Sequence, residues 1–249
     1  MRVLITNDDG YRALGIRALG KAIAAAGHEV LAVAPLDDQS GVGSARAGMV
    51  DRPIRTDEET VDGVTYIGVD GTPALAVTLA LVGAFGPVPD VVASGINHGH
   101  NIGVPILHSG TVAAALTAAG QGLSAIAIST DSEDPKHLDT AGTIAVRALD
   151  WLASEPVGTV VTVNVPDRPL DELEGVRRAR LAPIERSRIA GAKAPTGEPM
   201  IVLEAPAAGA AEDTDEYLLA AGYVTVTPIV GIREVDSSAA ADYLSAQLG

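Results

Sequence analysis

The chain contains no cysteine. Disulfides, thiolate metal sites and thiol nucleophiles are all excluded at once. Aromatic residues make up only 3%, so the core is expected to be built from small and β-branched aliphatic side chains in closely approaching elements. Basic residues are scarce as well: 17 Lys and Arg stand against 32 Asp and Glu, a formal net charge of -15. Nothing supplies the sustained cationic face that neutralises a phosphate backbone, which argues against polymeric nucleic acid and anionic membrane as partners. A small phosphorylated ligand stays open, because a metal ion can hold one. Long hydrophobic runs are also missing. The opening MRVLITNDDG meets two acidic residues after a short apolar run, so it reads as neither a signal peptide nor a membrane span, and a cytoplasmic location is expected.

At 249 residues the chain suits one large domain, or one domain with a sub-domain, at roughly 100–200 residues each. With 47% hydrophobic and 20% charged residues it is globular in composition. Residues 2–6 read as a buried strand, 15–26 as a helix with Ile16, Leu19 and Ile23 at helical spacing, and 29–34 as a second strand. Strand, helix and strand in so short a stretch make a βαβ unit and a parallel sheet. The alternation continues. Strands are predicted at 64–69, 91–94, 125–129 and 159–164. Helices are predicted from the Thr72 cap and Pro73 to about residue 82, over 109–120, and over 138–154, the last with Ile144, Ala148, Trp151 and Leu152 inward. After Pro166 the texture changes. Strands are expected at 178–181, 200–203 and 223–227, a small-residue loop at 205–211, a mobile excursion at 187–199, and a closing helix at 238–248. The expected organisation is an α/β core over 1–165 and a β-rich extension over 166–249 that ends in a helix.

In open parallel sheets, ligands bind outside the carboxyl ends of the strands. Three polar clusters fall there: Asn7-Asp8-Asp9-Gly10, the run from Asp37 to Ser44, and Ser94-Gly95-Ile96-Asn97, which leads on through His98, His100 and Asn101. Adjacent carboxylates such as Asp8 and Asp9 repel unless a cation shares them. A hard ion, Mg²⁺ or Mn²⁺, suits them, with Ser40 and Asn97 able to complete an oxygen shell. Zinc suits them less, since there is no cysteine and no HExxH spacing. An isolated Asp-Asp-Gly is most often a solvated turn; its place after the first strand favours a site. Ser109-Gly110-Thr111 opens a helix, where free N–H groups and hydroxyls can take an anion, although an ordinary N-cap is the commoner explanation. His98, His100 and His108 flank this region and individually read as loop or packing residues. Residues 131–134 read as a solvated acidic loop, and Arg177, Arg178 and Arg180 as a solvated strand face. A dicarboxylate metal site facing a helix end suggests hydrolysis of a phosphate ester, with Asp8 or Asp9 taking the proton of an attacking water.

Taken together, LITNDDG (4–10), VAPLDDQSGVG (33–43), GTPA (71–74), SGINHGHNIG (94–103), SGTVAAA (109–115), VNVP (163–166) and GYVTVTP (222–228) resemble the SurE family of 5′/3′-nucleotidases. Each piece is weak alone; the ordered set, spread over about nine-tenths of the chain, is specific. The resemblance implies a Rossmann-like three-layer α/β core and a divalent-metal phosphatase of nucleoside monophosphates that can extend to short polyphosphate. It places the metal ligands on Asp8, Asp9, Ser40 and Asn97, and phosphate binding on Asn101, Ser109, Gly110 and Thr111. It also implies a homodimer or homotetramer packed through the C-terminal part.

Two features depart from the family pattern. Val104 and Pro105 stand where many relatives carry acidic residues, and Thr117-Ala118 stand where Glu-Gly is common. The metal shell is intact, so the departures bear on substrate pocket and subunit packing. The alternatives are a specialised phosphatase for another small phosphoester, or a degenerate nucleotide- or phosphate-binding protein. A two-domain sugar-transfer enzyme needs a longer chain. A haloacid-dehalogenase-like phosphatase wants its acids two apart, and a receiver domain needs a Lys after a later strand, where Ser129-Thr130-Asp131 stand.

Overall fold

The structure is a computed structural model that describes residues 1–45, 53–183, 189–193, 195–203, 211–232 and 239–248. Its first strand, β1 (Arg2–Thr6), alternates Val3 and Ile5 toward one face and Leu4 toward the other, and all three are fully buried. Only a strand covered on both faces has reason to be apolar throughout. Helix α1 (Leu14–Ala25) returns the chain so that β2 (Glu29–Pro35) lies parallel to β1, with Arg2 opposite Glu29 and Ile5 opposite Ala32. Next come β3 (Thr56–Val61) and β4 (Val64–Val69), an antiparallel hairpin closed by Asp62 and Gly63, both at positive φ as a tight two-residue turn demands.

The second half of the parallel sheet follows. It comprises α2 (Pro73–Leu81), β5 (Val91–Asn97), α3 (Gly110–Ala119), β6 (Ala125–Thr130), α4 (Leu138–Leu152) and β7 (Val160–Val165). Thr72 caps α2, as its sequence predicts, by accepting from Leu75 N at 3.3 Å. Then come β8 (Val176–Arg178), β9 (Ile189–Lys193), β10 (Pro199–Leu203), α5 (Asp215–Ala220), β11 (Val224–Ile229) and α6 (Ala239–Leu248). Among the described residues nine strands form one sheet in the order β3-β4-β2-β1-β5-β6-β7-β11-β8, while β9 and β10 pair separately. β11 runs antiparallel to β7 and parallel to β8, so the sheet continues past residue 165 into the C-terminal part.

The layers follow from the strand alternation. Ile16, Leu19 and Ile23 of α1 and Ala141, Ile144, Ala145 and Leu149 of α4 cover the face carrying Val3, Ile5, Ile126 and Val161. Ala76, Val77 and Ala80 of α2 and Val112, Ala114, Ala115 and Ala118 of α3 cover the face carrying Leu4, Val33 and Val92. The alanine-rich composition serves this second layer, where α2 and α3 lie side by side.

Several sequence expectations need correction. Trp151 is 42% exposed; the inner face of α4 runs through Ala141, Ile144, Ala145, Leu149 and Leu152, and the indole stands at its edge. The strand expected at 178–181 is β8, two residues earlier, and Arg180 keeps only an isolated bridge to Thr214. The excursion expected at 187–199 contains β9, which pairs with β10 from Ile189–Leu203 to Lys193–Pro199. The loop expected at 205–211 lies outside the described residues apart from Ala211. β3, β9 and α5 had no counterpart in the sequence reading. TDEETV is a charged edge strand, a composition that protects an edge from further pairing, and α5 has only six residues.

Candidate functional site

The chain fills the sheet outward from β1, first toward β2 and β4, then from β5 toward β7. The order therefore reverses between β1 and β5, where a doubly wound sheet opens its ligand crevice. Asp8 follows β1, Ser40 follows β2, and Asn97 ends β5. A cavity of about 350 Å³ lies there, lined by Asp8, Ser40, Asn97, Asn101, His108 and Ser109 together with Gly41, His98, Gly99, His100 and Glu133.

Asp8 is only 3% exposed. The hydroxyl of Thr111, itself fully buried, donates to Asp8 Oδ1. Thr111 Oγ1 also lies 3.2 Å from Asn97 Oδ1. One hydroxyl proton serves one of these acceptors, so three oxygens converge with a single hydrogen among them. Asn97 is oriented from behind: its Nδ2 donates to the carbonyls of His98 (3.0 Å) and Gly99 (2.7 Å), while its oxygen faces the Thr111 hydroxyl. The loop after β2 is fastened to the same place, because Gln39 N donates to the Asp8 carbonyl at 2.7 Å. Ser40 gives both its N–H and its hydroxyl to Asp38 Oδ1, each at 2.7 Å, leaving its oxygen lone pairs free.

The electrostatics are those of crowded acids. Burial raises the Asp8 carboxyl above the ordinary carboxylate range, opposed by the Thr111 hydrogen bond. The Asp9 carboxyl is pushed up to about 7, first by burial, then by the charges of Asp8 and Asp38. Its Oδ2 is buried with no hydrogen-bond partner among the described residues. An unpaired buried carboxylate oxygen beside another carboxylate is costly unless a proton or a cation arrives. Among the described residues no three His, Asp or Glu side chains group to hold a metal. A shell here therefore depends on two carboxylates completed by neutral oxygens, which is the chemistry of a hard cation.

The start of α3 reaches the cavity through Ser109. Ser109 caps the helix by accepting from Val112 N at 3.1 Å. Gly110 is required sterically, since a Cβ there would stand 2.7 Å from both Cβ and Oδ2 of Asp8. The Asp8 carboxylate thus packs directly on the first turn of the helix. Asn101 donates its Nδ2 to Ser129 Oγ at 2.9 Å.

Of the residues singled out from the sequence, Asp8, Ser40, Asn97, Asn101 and Ser109 line the cavity. Thr111 and Gly110 meet Asp8 from beneath, and Asp9 lies within its field. His98, His100 and His108 line the cavity too. The arginines do not reach it: Arg180 forks onto Asp213 at 2.6 and 2.8 Å, and Arg177 stacks on the Tyr223 ring. Two acids have a part here that the sequence does not assign them: Asp38 falls in the polar run after β2 without a role of its own, and Glu133 in a solvated loop. Asp38 anchors Ser40, and Glu133 lines the cavity with its carboxylate over Gly99 and adds charge at Asp9. Its place three residues past the end of β6 was the available signal. Val104 and Pro105 lie in a 3₁₀ turn, Val104–His108, whose last residue lines the cavity.

Comparison with known proteins points one way. The family model described as survival protein SurE matches residues 3–188. A 5'-nucleotidase SurE from Stenotrophomonas maltophilia (strain K279a) is 40% identical over 240 residues, covering 92% of this chain and 89% of the relative. One from Solidesulfovibrio magneticus is 38% identical over 257 residues, covering 100% of this chain and 98% of the relative. A 5'/3'-nucleotidase SurE from Edwardsiella ictaluri is 38% identical over 234 residues, covering 92% and 89%. The crystal structure of the SurE protein from Aquifex aeolicus superposes with a TM-score of 0.81 at 30% identity, covering 98% of this chain and 100% of that one. The expected Rossmann-like α/β fold is the one observed.

Proposed function

The chain belongs to the SurE family, and on that premise we propose that it is a divalent-metal-dependent phosphatase of nucleoside 5′- and 3′-monophosphates, with short polyphosphate as a further substrate. One observation carries the reading. The Asp8 carboxylate packs on Gly110 in the first turn of α3, so a cation held by the acid and an anion held by the helix end share one location.

Asp8, Asp9, Ser40 and Asn97 would hold one Mg²⁺ or Mn²⁺ ion per subunit. The all-oxygen donor set and the unpartnered Asp9 Oδ2 support the fit. When bound, the ion polarises phosphoryl oxygens and lowers the pKa of a water molecule. Asn101, Ser109, Gly110 and Thr111 bind the phosphate, with the N–H groups at the start of α3 donating to its oxygens and the helix dipole favouring its charge. Ser109 Oγ accepts from the helix yet keeps its own proton to donate. Asp8 and Asp9 form the catalytic pair. Asp8 Oδ1 is engaged by Thr111, so Asp9 is the member of the pair that takes the proton of the attacking water.

The same reading extends to assembly and location. An apolar groove of about 230 Å³, lined by Ile144, Ala148, Trp151, Val161, Val224 and Val226 among others, supports packing as a homodimer or homotetramer. No helix among the described residues is long and apolar enough to cross a membrane, and the charge of -15 speaks against polymeric nucleic acid; we assign a cytoplasmic location.

A phosphate-release screen tests the function. It crosses nucleoside monophosphates, sugar phosphates and short polyphosphate with Mg²⁺, Mn²⁺ and chelator. Metal-dependent release from nucleoside monophosphates is expected. Release confined to another phosphoester would instead favour a specialised phosphatase, a reading to which the exposed apolar side chains of Val104 and Leu107, in the turn that leads to the lining residue His108, lend weight. No release with metal binding intact would favour a binding protein.

A further inference from the structure

The candidate phosphate loop is fastened by two buried side chains from far along the chain. Asn101 gives its backbone N–H to Asn164 Oδ1 at 2.8 Å, and its carbonyl accepts from Asn164 Nδ2 at 2.9 Å, much as one strand holds another. Two residues on, Gly103 N–H donates to Asp215 Oδ2 at 2.7 Å. Asp215 is fully buried, and a buried carboxylate is costly unless its oxygens are satisfied. Its Oδ1 accepts from Ala182 N and Glu216 N, both at 2.9 Å. Three separate stretches of chain thus meet on one carboxylate: the loop, residues 180–182 and the start of α5. The backbone adds two bonds to the same knot, Val104 N to Ala182 O at 3.0 Å and Asp215 N to Arg180 O at 2.8 Å. Asp215 is absent from the cavity lining and from the oxygens around Asp8, so any role it has runs through the loop.

We propose that Asp215, with Asn164 on the other flank, is a positioning residue for phosphate binding: it fixes the backbone of residues 101–103 so that Asn101 is already set to meet the substrate phosphate. The inference rests on the phosphatase reading above. A loop ordered in advance spares substrate binding the entropy of ordering it. Such a contribution acts on ground state and transition state alike, and therefore moves KM more than kcat.

Asp215→Asn separates this role from general stability. The amide keeps the shape of the carboxylate. Its oxygen is drawn to the side with two donors, Ala182 and Glu216, which sets its NH₂ group against the Gly103 N–H and detaches the loop. With saturating Mn²⁺, the Kd for inorganic phosphate, by isothermal titration, and the KM for a nucleoside monophosphate are both expected to rise about tenfold. The kcat should stay within about threefold and the Mn²⁺ affinity should not change. Wild-type phosphate affinity in the variant overturns the proposal. So does a joint fall in kcat, Mn²⁺ affinity and folded fraction, the mark of a merely structural residue. If Asp215→Asn does not fold, Asn164→Asp, which sets a carboxylate oxygen against the Asn101 carbonyl, is read against the same two outcomes. A wild-type protein that neither releases nor binds phosphate overturns the phosphatase reading and this inference with it; an active wild type beside an unaltered variant overturns this inference alone.

Discussion

A single methyl group at Gly110 tests whether the acid and the helix end work as one site. The Cβ of Gly110→Ala would stand 2.7 Å from Cβ and Oδ2 of Asp8 and 3.0 Å from its Cγ, where ordinary contacts begin at 3.4 Å. Something must therefore move by about 0.7 Å or more. The helix backbone is held by the Ser109 cap, and Asp8 is 3% exposed with Thr111 bonded to its Oδ1. Because Asp8 Cβ is itself one of the close atoms, turning the carboxylate alone cannot relieve the clash, and Asp8 is displaced from the start of α3. Overpacking of this kind costs about 1–3 kcal/mol, offset by the roughly 0.5–1 kcal/mol that Ala gains over Gly in a helix. The net loss is about 2.5 kcal/mol at most, or a fall in Tm of up to about 10 °C for a chain of this size. Catalysis is far more sensitive, since a displacement near 1 Å can cost about 10²-fold, equivalent to about 2.7 kcal/mol of barrier. The assay pairs kcat/KM for a nucleoside monophosphate under saturating Mn²⁺ with a thermal melt. A folded Gly110→Ala protein of undiminished kcat/KM would refute the claim that Asp8 and the start of α3 form one site.

Other outcomes follow from the same geometry. Thr111→Val keeps the shape and removes the donor to Asp8, a bond to a charged group worth about 1.5–3 kcal/mol; kcat/KM should fall at least about tenfold, and unchanged turnover would discount the bond. Asp9 rises from 3.8 to about 7, so between those values the metal-free folded chain holds a proton that the unfolded chain has released. Metal-free stability should therefore decline as pH rises from about 4 to about 7 and level off above. A divalent ion must displace that proton at low pH, so saturating Mn²⁺ should raise Tm more at pH 8 than at pH 5.5; equal gains would dismiss Asp9 as a ligand. Trp151→Glu, at a side chain 42% exposed beside the apolar groove, should alter subunit stability by no more than about 0.5 kcal/mol while lowering the mass seen by light scattering; an unchanged mass would clear this face of any part in assembly.

The parallel half of the fold was open to reading because its rules are local. Buried parallel strands are continuous apolar runs, and Thr72-Pro73 and Ser109-Gly110 mark helix starts by their own chemistry. Once β1, β2 and β5 were placed, Asp8, Ser40 and Asn97 fell at carboxyl ends by topology alone. β3 and α5 were not legible for the opposite reason. β3 owes its strand to the turn at Asp62-Gly63 and to pairing with β4, not to any apolar alternation of its own. Trp151 misled because an aromatic at near-helical spacing reads as inward, whereas here the indole is 42% exposed and lines a groove with Val161 and Val224.

What holds the site lay further beyond reach, and the reason is separation along the chain. Asn164 acts on Asn101 across 63 residues and Asp215 on Gly103 across 112. Periodicity cannot express such a bond, since its windows span a turn or two of helix. Yet Thr214-Asp215-Glu216 did carry a local sign: a hydroxyl followed by two acids is a helix start, and Thr214 indeed accepts from Tyr217 N at 3.4 Å. That sign explains an exposed Asp in a first turn, and here it hides the decisive fact that Asp215 faces inward. An acid placed to favour a helix dipole costs nothing at the surface; buried, it needs donors from elsewhere, and the loop that supplies one of them is the loop expected to meet the phosphate. The C-terminal segment is thereby tied to the site by the need to satisfy a single carboxylate.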